Sequence, residues 1–349
     1  MNPRRNLFSH ALDLKHGYVE LSHGGGGRAM AQLIEELFLA AFDNAWLRAQ
    51  DDGAHLIVPP GRLAMAVDSH VVSPLFFPGG DIGCLSVHGT LNDIAMTGAQ
   101  PLYLAAAFIL EEGFPLADLQ RIIASMAQAA QQAGIPIVTG DTKVVERGKG
   151  DGVFITTTGI GLIPVGVEIS AHRAQPGDAI LLSGALGDHG MAVMAQREHL
   201  RFDAPIMSDT AALHELVAAM VATVPDIHCL RDPTRGGLGC ALNEIAQQSG
   251  VGMRLREAAI PVHEPVRALC EFLGLDPLYV ANEGKLLAIC PAASAEALLA
   301  VMRQHPQGRE ATLIGEVVAD PQAFVEMETS FGGRRLVDWL SGEQLPRIC

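Results

Sequence analysis

Two successions of strand-like and helical segments, divided by a Gly- and Pro-rich stretch at residues 164–178 (PVGVEISAHRAQPGD), constrain the fold of this chain more than any other feature. In the first half, residues 28–48 set Met30, Leu33, Ile34, Leu37, Phe38, Ala41 and Phe42 on one wide apolar face, which predicts an amphipathic helix. Strand-like runs follow at 55–58, 63–71, 101–110, 135–138 and 153–163, interleaved with helical runs near 84–98 and 115–133. Beyond the join, a strand at 179–183 leads to helices near 189–197, 209–223 and 238–249. A strand at 251–256, a helix at 264–273, and strands near 278–281, 285–290 and 312–318 complete the series. Such alternation in both halves predicts two α/β or α+β domains. The expected divisions are an N-terminal segment over 1–43, a first domain over 44–168, a second over 169–332 and a tail over 333–349.

The 349 residues are enough for two cores, and a composition 49 % hydrophobic and 18 % charged is that of packed rather than disordered chain. A net charge of −15 argues against nucleic-acid binding. It still allows a polyanion such as ATP, provided Mg²⁺ and backbone N–H groups take the place of lysines. The N-terminal apolar stretch is broken by His10 and Asp13, unlike a signal peptide. The most apolar helical run, 211–224, carries His214 and Glu215 and is too short to span a bilayer, so a cytoplasmic location is expected. Of six cysteines none form a CxxC pair, and four sit inside apolar runs as buried small hydrophobes would.

Cys349 is different, because it is the last residue. The run GGRRLVDWLSGEQLPRIC has no continuing apolar period, and Pro346 can neither extend a helix nor donate to a sheet. Residues 333–349 therefore read as a mobile arm that could reach on the order of 50 Å and carry a thiol to a site elsewhere. Prenylation is excluded, since it needs Cys fourth from the end.

Four further constellations carry chemistry. Ser22-His23-Gly24-Gly25-Gly26-Gly27 precedes a helix, where close backbone approach and free N–H donors suit an anion, most often phosphate. No Walker A tripeptide accompanies it, a dinucleotide fingerprint fits poorly, and the G-x-S-x-G elbow of an esterase is absent. Asp68, Asp81, Asp93 and Asp141 each close or follow an apolar run, and carboxylates gathered at one rim would repel unless a cation such as Mg²⁺ sat among them. Asp232-Pro233-Thr234-Arg235-Gly236-Gly237 and the turn around Asp188 (SGALGDHG) both enter helices, and Arg235 could hold phosphate or carboxylate in bidentate fashion. Glu283, in NEGK, could act as a base if desolvated.

GGDIGCLSVHGTLNDIAMTGAQP, IVTGDTKVVERG, SGALGDHGMA and RDPTRGGLGCALNEIA are similar to motifs of the superfamily that holds aminoimidazole ribonucleotide synthetase and selenophosphate synthetase. Within it, SHGGGG and the ending PRIC resemble the hydrogenase maturation factors of the HypE family, over essentially the whole chain. The resemblance implies a two-domain synthetase-like fold and a homodimer whose N-terminal domains pair their sheets. It also implies a carbamoyltransferase of the HypF type that loads the terminal thiol. ATP with Mg²⁺ would then dehydrate the S-carbamoyl group to S-thiocyanate, and a HypC–HypD-type complex would carry the cyanide to the iron of [NiFe]-hydrogenase. By motif match, Asp68, Asp81, Asp93 and Asp141 would handle Mg²⁺–ATP, Gly24 to Gly27 would cover phosphates with Asp188, Asp232 and Arg235 beside them, Lys143 and Glu283 would deprotonate or polarise the carbamoyl group, and Cys349 would carry it. The competing readings are a related synthetase acting on a free selenophosphate-type or purine-type substrate, and a non-catalytic carrier.

Overall fold

The structure is a computed structural model that describes residues 8, 10–200, 205–342, 345 and 347–349. Most of the first seven residues' expected reading, and that of Pro346, lies outside the described residues.

Helix α1 (Arg28–Leu33) continues through a π-helical turn (Ile34–Leu39) into α2 (Ala40–Phe42), and α3 (Ala45–Ala49) follows. Then come β1 (Arg62–His70), a small hairpin of β2 (Phe76–Phe77) and β3 (Gly80–Asp81), α4 (Ile82–Met96), β4 (Gln100–Glu111), α5 (Leu116–Ala133), β5 (Ile137–Val145) and β6 (Val153–Ile163). These strands form a four-stranded sheet in the order β1-β6-β4-β5, with only β4 and β5 parallel. Helix α5 buries the stripe Leu116, Leu119, Ile122, Ile123 and Met126, as its period requires, and stops where Gly134 takes a φ of 71°. Helix α4 is buried on nearly all sides, since the sheet, α5 and the second domain each cover part of it.

The second half supplies β7 (Asp178–Leu182), α6 (Asp188–Arg197), α7 (His214–Thr223), β8 (Cys229–Arg231), α8 (Gly237–Ser249), β9 (Gly252–Arg256), α9 (Glu264–Leu273), β10 (Leu287–Pro291), α10 (Ala295–Gln304), β11 (Thr312–Val318), β12 (Val325–Glu328) and β13 (Arg334–Leu336). They build a seven-stranded mixed sheet in the order β13-β12-β9-β11-β7-β10-β8. Central β7 is buried on both faces: Ile180 and Leu182 join the core under α8, whereas Ala179 and Leu181 join the core under α7 and α10. The fold is thus the two-domain α/β to α+β arrangement expected.

Local departures have local causes. Residues 55–58 form no strand, because no neighbour pairs with them and Ile57 stands 88 % exposed. Residues 277–279 make a 3-10 turn instead of opening a strand, with Pro277 at its start and the Asp276 carboxylate accepting from Leu278 N–H. Strand β5 runs on through Gly140-Asp141-Thr142-Lys143, which was expected to lie beyond it. Strand β13, within the expected tail, pairs with β12 through Glu326 and Leu336. Among the described residues no helix is long and apolar enough to cross a membrane.

Candidate active site between the domains

Period-two alternation decides which β1 side chains reach the site. Ala64, Ala66, Asp68 and His70 turn toward α4, while Leu63, Met65, Val67 and Ser69 turn outward. Gly89 of α4 lets the sheet come close, since a Cβ there would lie 2.8 Å from His70 Nε2 and 3.4 Å from Asp68 Oδ2. His70 Nε2 in turn stands 3.3 Å from Asp68 Oδ2, and Asp93 lies one helical turn beyond Gly89 on the same face.

The opposite wall comes from the second domain. After β8 the chain turns through Asp232-Pro233-Thr234-Arg235, and Gly236, the N-cap of α8, and Gly237, its first residue, take φ of 77° and 60°. A Cβ on Gly237 would meet the Leu278 carbonyl oxygen at 2.5 Å, so close packing as well as φ demands glycine there. Asn282 ties this turn down by donating to the Pro233 carbonyl at 3.0 Å, while its Oδ1 accepts from Gly187 N–H at 2.7 Å. Next to it, Glu283 donates its backbone N–H to Asp209 and accepts from Asn92 Nδ2 at its carbonyl. Asn92 also donates to Ala211 and accepts from Leu213, which makes it a clamp between the domains.

Asp68, Asp93, Asp232, Arg235, Glu283 and Cys349 thus line one cleft of about 480 Å³. The tail expected to be mobile is seated in this structure. The Arg347 carbonyl accepts from Ser73 N–H and Arg197, the Ile348 carbonyl from His189 Nε2 and the Cys349 carbonyl from Val71 N–H. Ile348 is 3 % exposed, and Arg347 pairs with Asp151.

The cleft is electrostatically strained. Burial, followed by the charges of Asp232 and Asp68, pushes Asp93 up to about 7. Burial pushes Asp232 up to about 6. Glu283, buried with its Oε1 unpartnered, is raised well above the carboxylate range by burial and then by four neighbouring aspartates. Burial and then the Glu283 charge push the Cys349 thiol far up, so the seated sulfur is protonated and a poor nucleophile.

The remaining expected residues lie elsewhere. Asp81 is the N-cap of α4, its Oδ1 accepting from Gly83 and Cys84 N–H at 2.8 and 3.1 Å. Asp188 accepts from or donates to His263 Nδ1 at 2.9 Å, away from the cleft lining. Asp141 and Lys143 pair with each other at 2.9 Å on the solvent side of β5. The register Ser69–Thr156–Ala107–Asp141 places Asp141 on the sheet face opposite Asp68, three strand spacings or roughly 14 Å across. The glycine loop joins that second group, with Gly24 against Val144, where a Cβ would meet the backbone N at 2.8 Å. The four aspartates are therefore not gathered at one rim within one chain. Among the described residues no three His, Cys, Asp or Glu side chains stand close enough to hold a metal ion by themselves.

Sequence reasoning missed His189, Arg197, Asn92 and Asp209. His189 and Asn92 lie within motifs already singled out, each beside the aspartate chosen there, and Arg197 and Asp209 carry no local pattern.

The descriptions "AIR synthase related protein, N-terminal domain" and "AIR synthase related protein, C-terminal domain" match residues 50–163 and 175–328. A protein named carbamoyl dehydratase HypE, from Azotobacter vinelandii, is 70 % identical over 97 % of this chain and 99 % of its own length. A crystal structure of hydrogenase maturation protein HypE in complex with ATP superposes with a TM-score of 0.92 at 54 % identity, over 95 % of this chain and 99 % of that one. A chain of a HypE–HypF complex superposes with a TM-score of 0.78 at 50 % identity, over 88 % and 99 %.

Proposed function

The chain belongs to the AIR synthase related family, in its HypE branch, and on that premise we propose that it is an ATP-dependent carbamoyl dehydratase whose substrate is an S-carbamoyl group on its own Cys349. The observation that carries this reading is the seating of Cys349 among Asp68, Asp93, Asp232, Arg235 and Glu283. A synthetase for a free small molecule, or a passive carrier, would leave a thiol held by its own backbone inside an acidic cleft without a purpose.

The reaction converts S–C(=O)NH₂ and ATP into S–C≡N, ADP and phosphate. The C–O bond breaks, the oxygen departs on phosphate, and both N–H protons leave. ATP supplies the phosphoryl group that makes this oxygen a leaving group. Glu283 lines the cleft with Cys349, and once relieved of its proton by a bound cation it would be a strong base for one N–H proton. Asp68, Asp93 and Asp232 would hold Mg²⁺ together with phosphate oxygens, and Arg235 would pair with phosphate. Carboxylates made to retain protons to about 6 and 7 by burial, and then by their acidic neighbours, fit a cation of this kind. The seated tail excludes water from an intermediate that would otherwise hydrolyse.

Leu63, Met65, Val67 and Ile109 leave an apolar outer face on the first sheet, each between 44 % and 73 % exposed. We infer that two chains pair across it, and that Lys143, Asp141 and the glycine loop of one protomer complete the cleft of its partner. A HypF-type carbamoyltransferase would load Cys349 while the tail is out, since the seated thiol is protonated and half-buried in the cleft. A HypC–HypD-type complex would receive the cyanide. Six free cysteines fit a reducing, cytoplasmic setting.

Intact-mass spectrometry after incubation with a carbamoyltransferase, carbamoyl phosphate and ATP tests the reading. The expected result is a gain of one carbamoyl group and then a loss of one water, both mapped to Cys349. No loading at Cys349 would overturn it.

A further inference from the structure

We infer that His189 is the positioning residue that holds the reactive end of the tail inside the cleft, its Nε2–H donating to the Ile348 carbonyl at 2.7 Å from a ring with no exposed surface. The assignment rests on the proposed reaction for its consequence and on geometry alone for the contact.

The ring is also held by contacts that do not involve the tail. Its Nδ1 accepts from the Ser208 hydroxyl at 2.8 Å, and Ser208 is itself anchored by its backbone N–H to the Pro78 carbonyl at 2.8 Å. Phe77 meets the ring edge-on at 5.3 Å between centroids. The Ile348 carbonyl can only accept, so the proton of the neutral ring sits on Nε2 and points at the tail, which leaves Nδ1 to accept from the Ser208 hydroxyl. Burial lowers the proton affinity of the ring and keeps it neutral.

The other tail donors differ in kind. Val71 and Ser73 offer main-chain N–H groups that any side chain at those positions would supply. Arg197 is shared between the Ser73 and Arg347 carbonyls and is partly exposed. His189 is therefore the buried side chain among these donors whose identity decides how firmly Ile348 and Cys349 stay in. Loading of the thiol requires the tail out and dehydration requires it in, so one equilibrium serves two steps with opposite demands. A weaker latch favours the first step at the expense of the second.

The full-length protein with His189→Asn and His189→Gln tests this assignment. An Asn amide reaches only as far as Nδ1, toward Ser208, whereas a Gln amide nitrogen can lie where Nε2 does. N-ethylmaleimide labelling of Cys349, followed by peptide mapping, is expected to be roughly tenfold faster in His189→Asn than in wild type, the worth of one buried hydrogen bond. Carbamoyl loading should accelerate and dehydration per loaded chain should slow by similar factors, with His189→Gln returning all three toward wild type. Ser208→Ala, which frees the ring without removing it, should shift labelling the same way if His189→Asn fails to fold. Labelling at the wild-type rate in His189→Asn or, if it does not fold, in Ser208→Ala would overturn the assignment, as would equal slowing of both chemical steps. If wild-type Cys349 takes no carbamoyl group the reaction fails as a reading, and the labelling comparison still decides the latch.

Discussion

Lys285 Nζ stands 3.0 Å from Asp209 Oδ2 in the interior, the two side chains 13 % and 3 % exposed, and the other Asp209 oxygen accepts the backbone N–H of Glu283 at 3.1 Å. The proposed base is thus held by an ion pair that lies behind it. The Lys285 approach is off the hydrogen-bond direction, so charge rather than a directed bond keeps the two together. Removing one partner leaves a buried charge. Lys285→Met should lose about 3–5 kcal/mol in urea unfolding, and Lys285→Met/Asp209→Asn should recover much of it. Additive losses in the double variant would show that the pair is not coupled.

Cys349→Ala removes the proposed carbamoyl acceptor and leaves the acidic side chains of the cleft in place. ATP binding by calorimetry should persist within about twofold, while carbamoyl loading by mass should vanish. Retained loading would show that another nucleophile is the carrier.

Asp93 and Asp232 keep protons to about 7 and about 6 in the folded chain but release them near 4 when unfolded. The native state therefore binds the extra protons between pH 4 and 7, and this part of its stability is complete below pH 4 and is lost as pH rises through 7. The buried His70 and His189 act oppositely, destabilising as pH falls below their ordinary value of 6.5. The difference between wild type and Asp93→Asn isolates the carboxylate effect. Wild type should lose on the order of 2 kcal/mol relative to that variant between pH 5 and 8, and Mg²⁺–ATP should restore it. An unchanged difference across that range would remove the electrostatic case for a cation.

Asp68 and Asp81 look alike in sequence and should part in experiment. Asp68→Asn should weaken Mg²⁺–ATP binding by tenfold or more, on the order of 1.4 kcal/mol. Asp81→Asn preserves a good N-cap and should change neither affinity nor melting temperature much. Equal losses of affinity would mean that Asp81 reaches nucleotide after all.

Met65 is 73 % exposed at the centre of the apolar outer face. Met65→Lys should convert a dimer to a monomer by light scattering, because a charge would be buried without a partner. A dimer of unchanged strength would place the interface elsewhere.

What was legible in the sequence is what local pattern controls. Alternating runs identified most strands and helices, and the aspartates of LAMAVD, LNDIAM and RDPTRGG reach one cleft because Asp68 takes the inner phase of β1, Asp93 faces one side of α4 and Asp232 follows the end of β8. Asp141 does not join them, since β5 runs on through it and the pleat turns it to the other face. Asp81 was ambiguous because an N-cap and a metal ligand demand the same side chain. The roles of Asn92, Asp209 and His189 were not legible even where a motif contained them, because their partners are 121, 74 and 159 positions away. The docked tail was hidden for a related reason: its contacts are made by carbonyls, which every residue carries.

If the proposed reaction holds, that last feature sets the kinetics of the whole molecule. A reactant bound through the backbone of the chain that transforms it has no bulk concentration. Dehydration is then first order in protein, indifferent to dilution, and saturable only in ATP. Each chain would then yield a single nitrile and need emptying before it could act again, so the number of protein molecules, as much as their speed, would set how much cyanide is delivered.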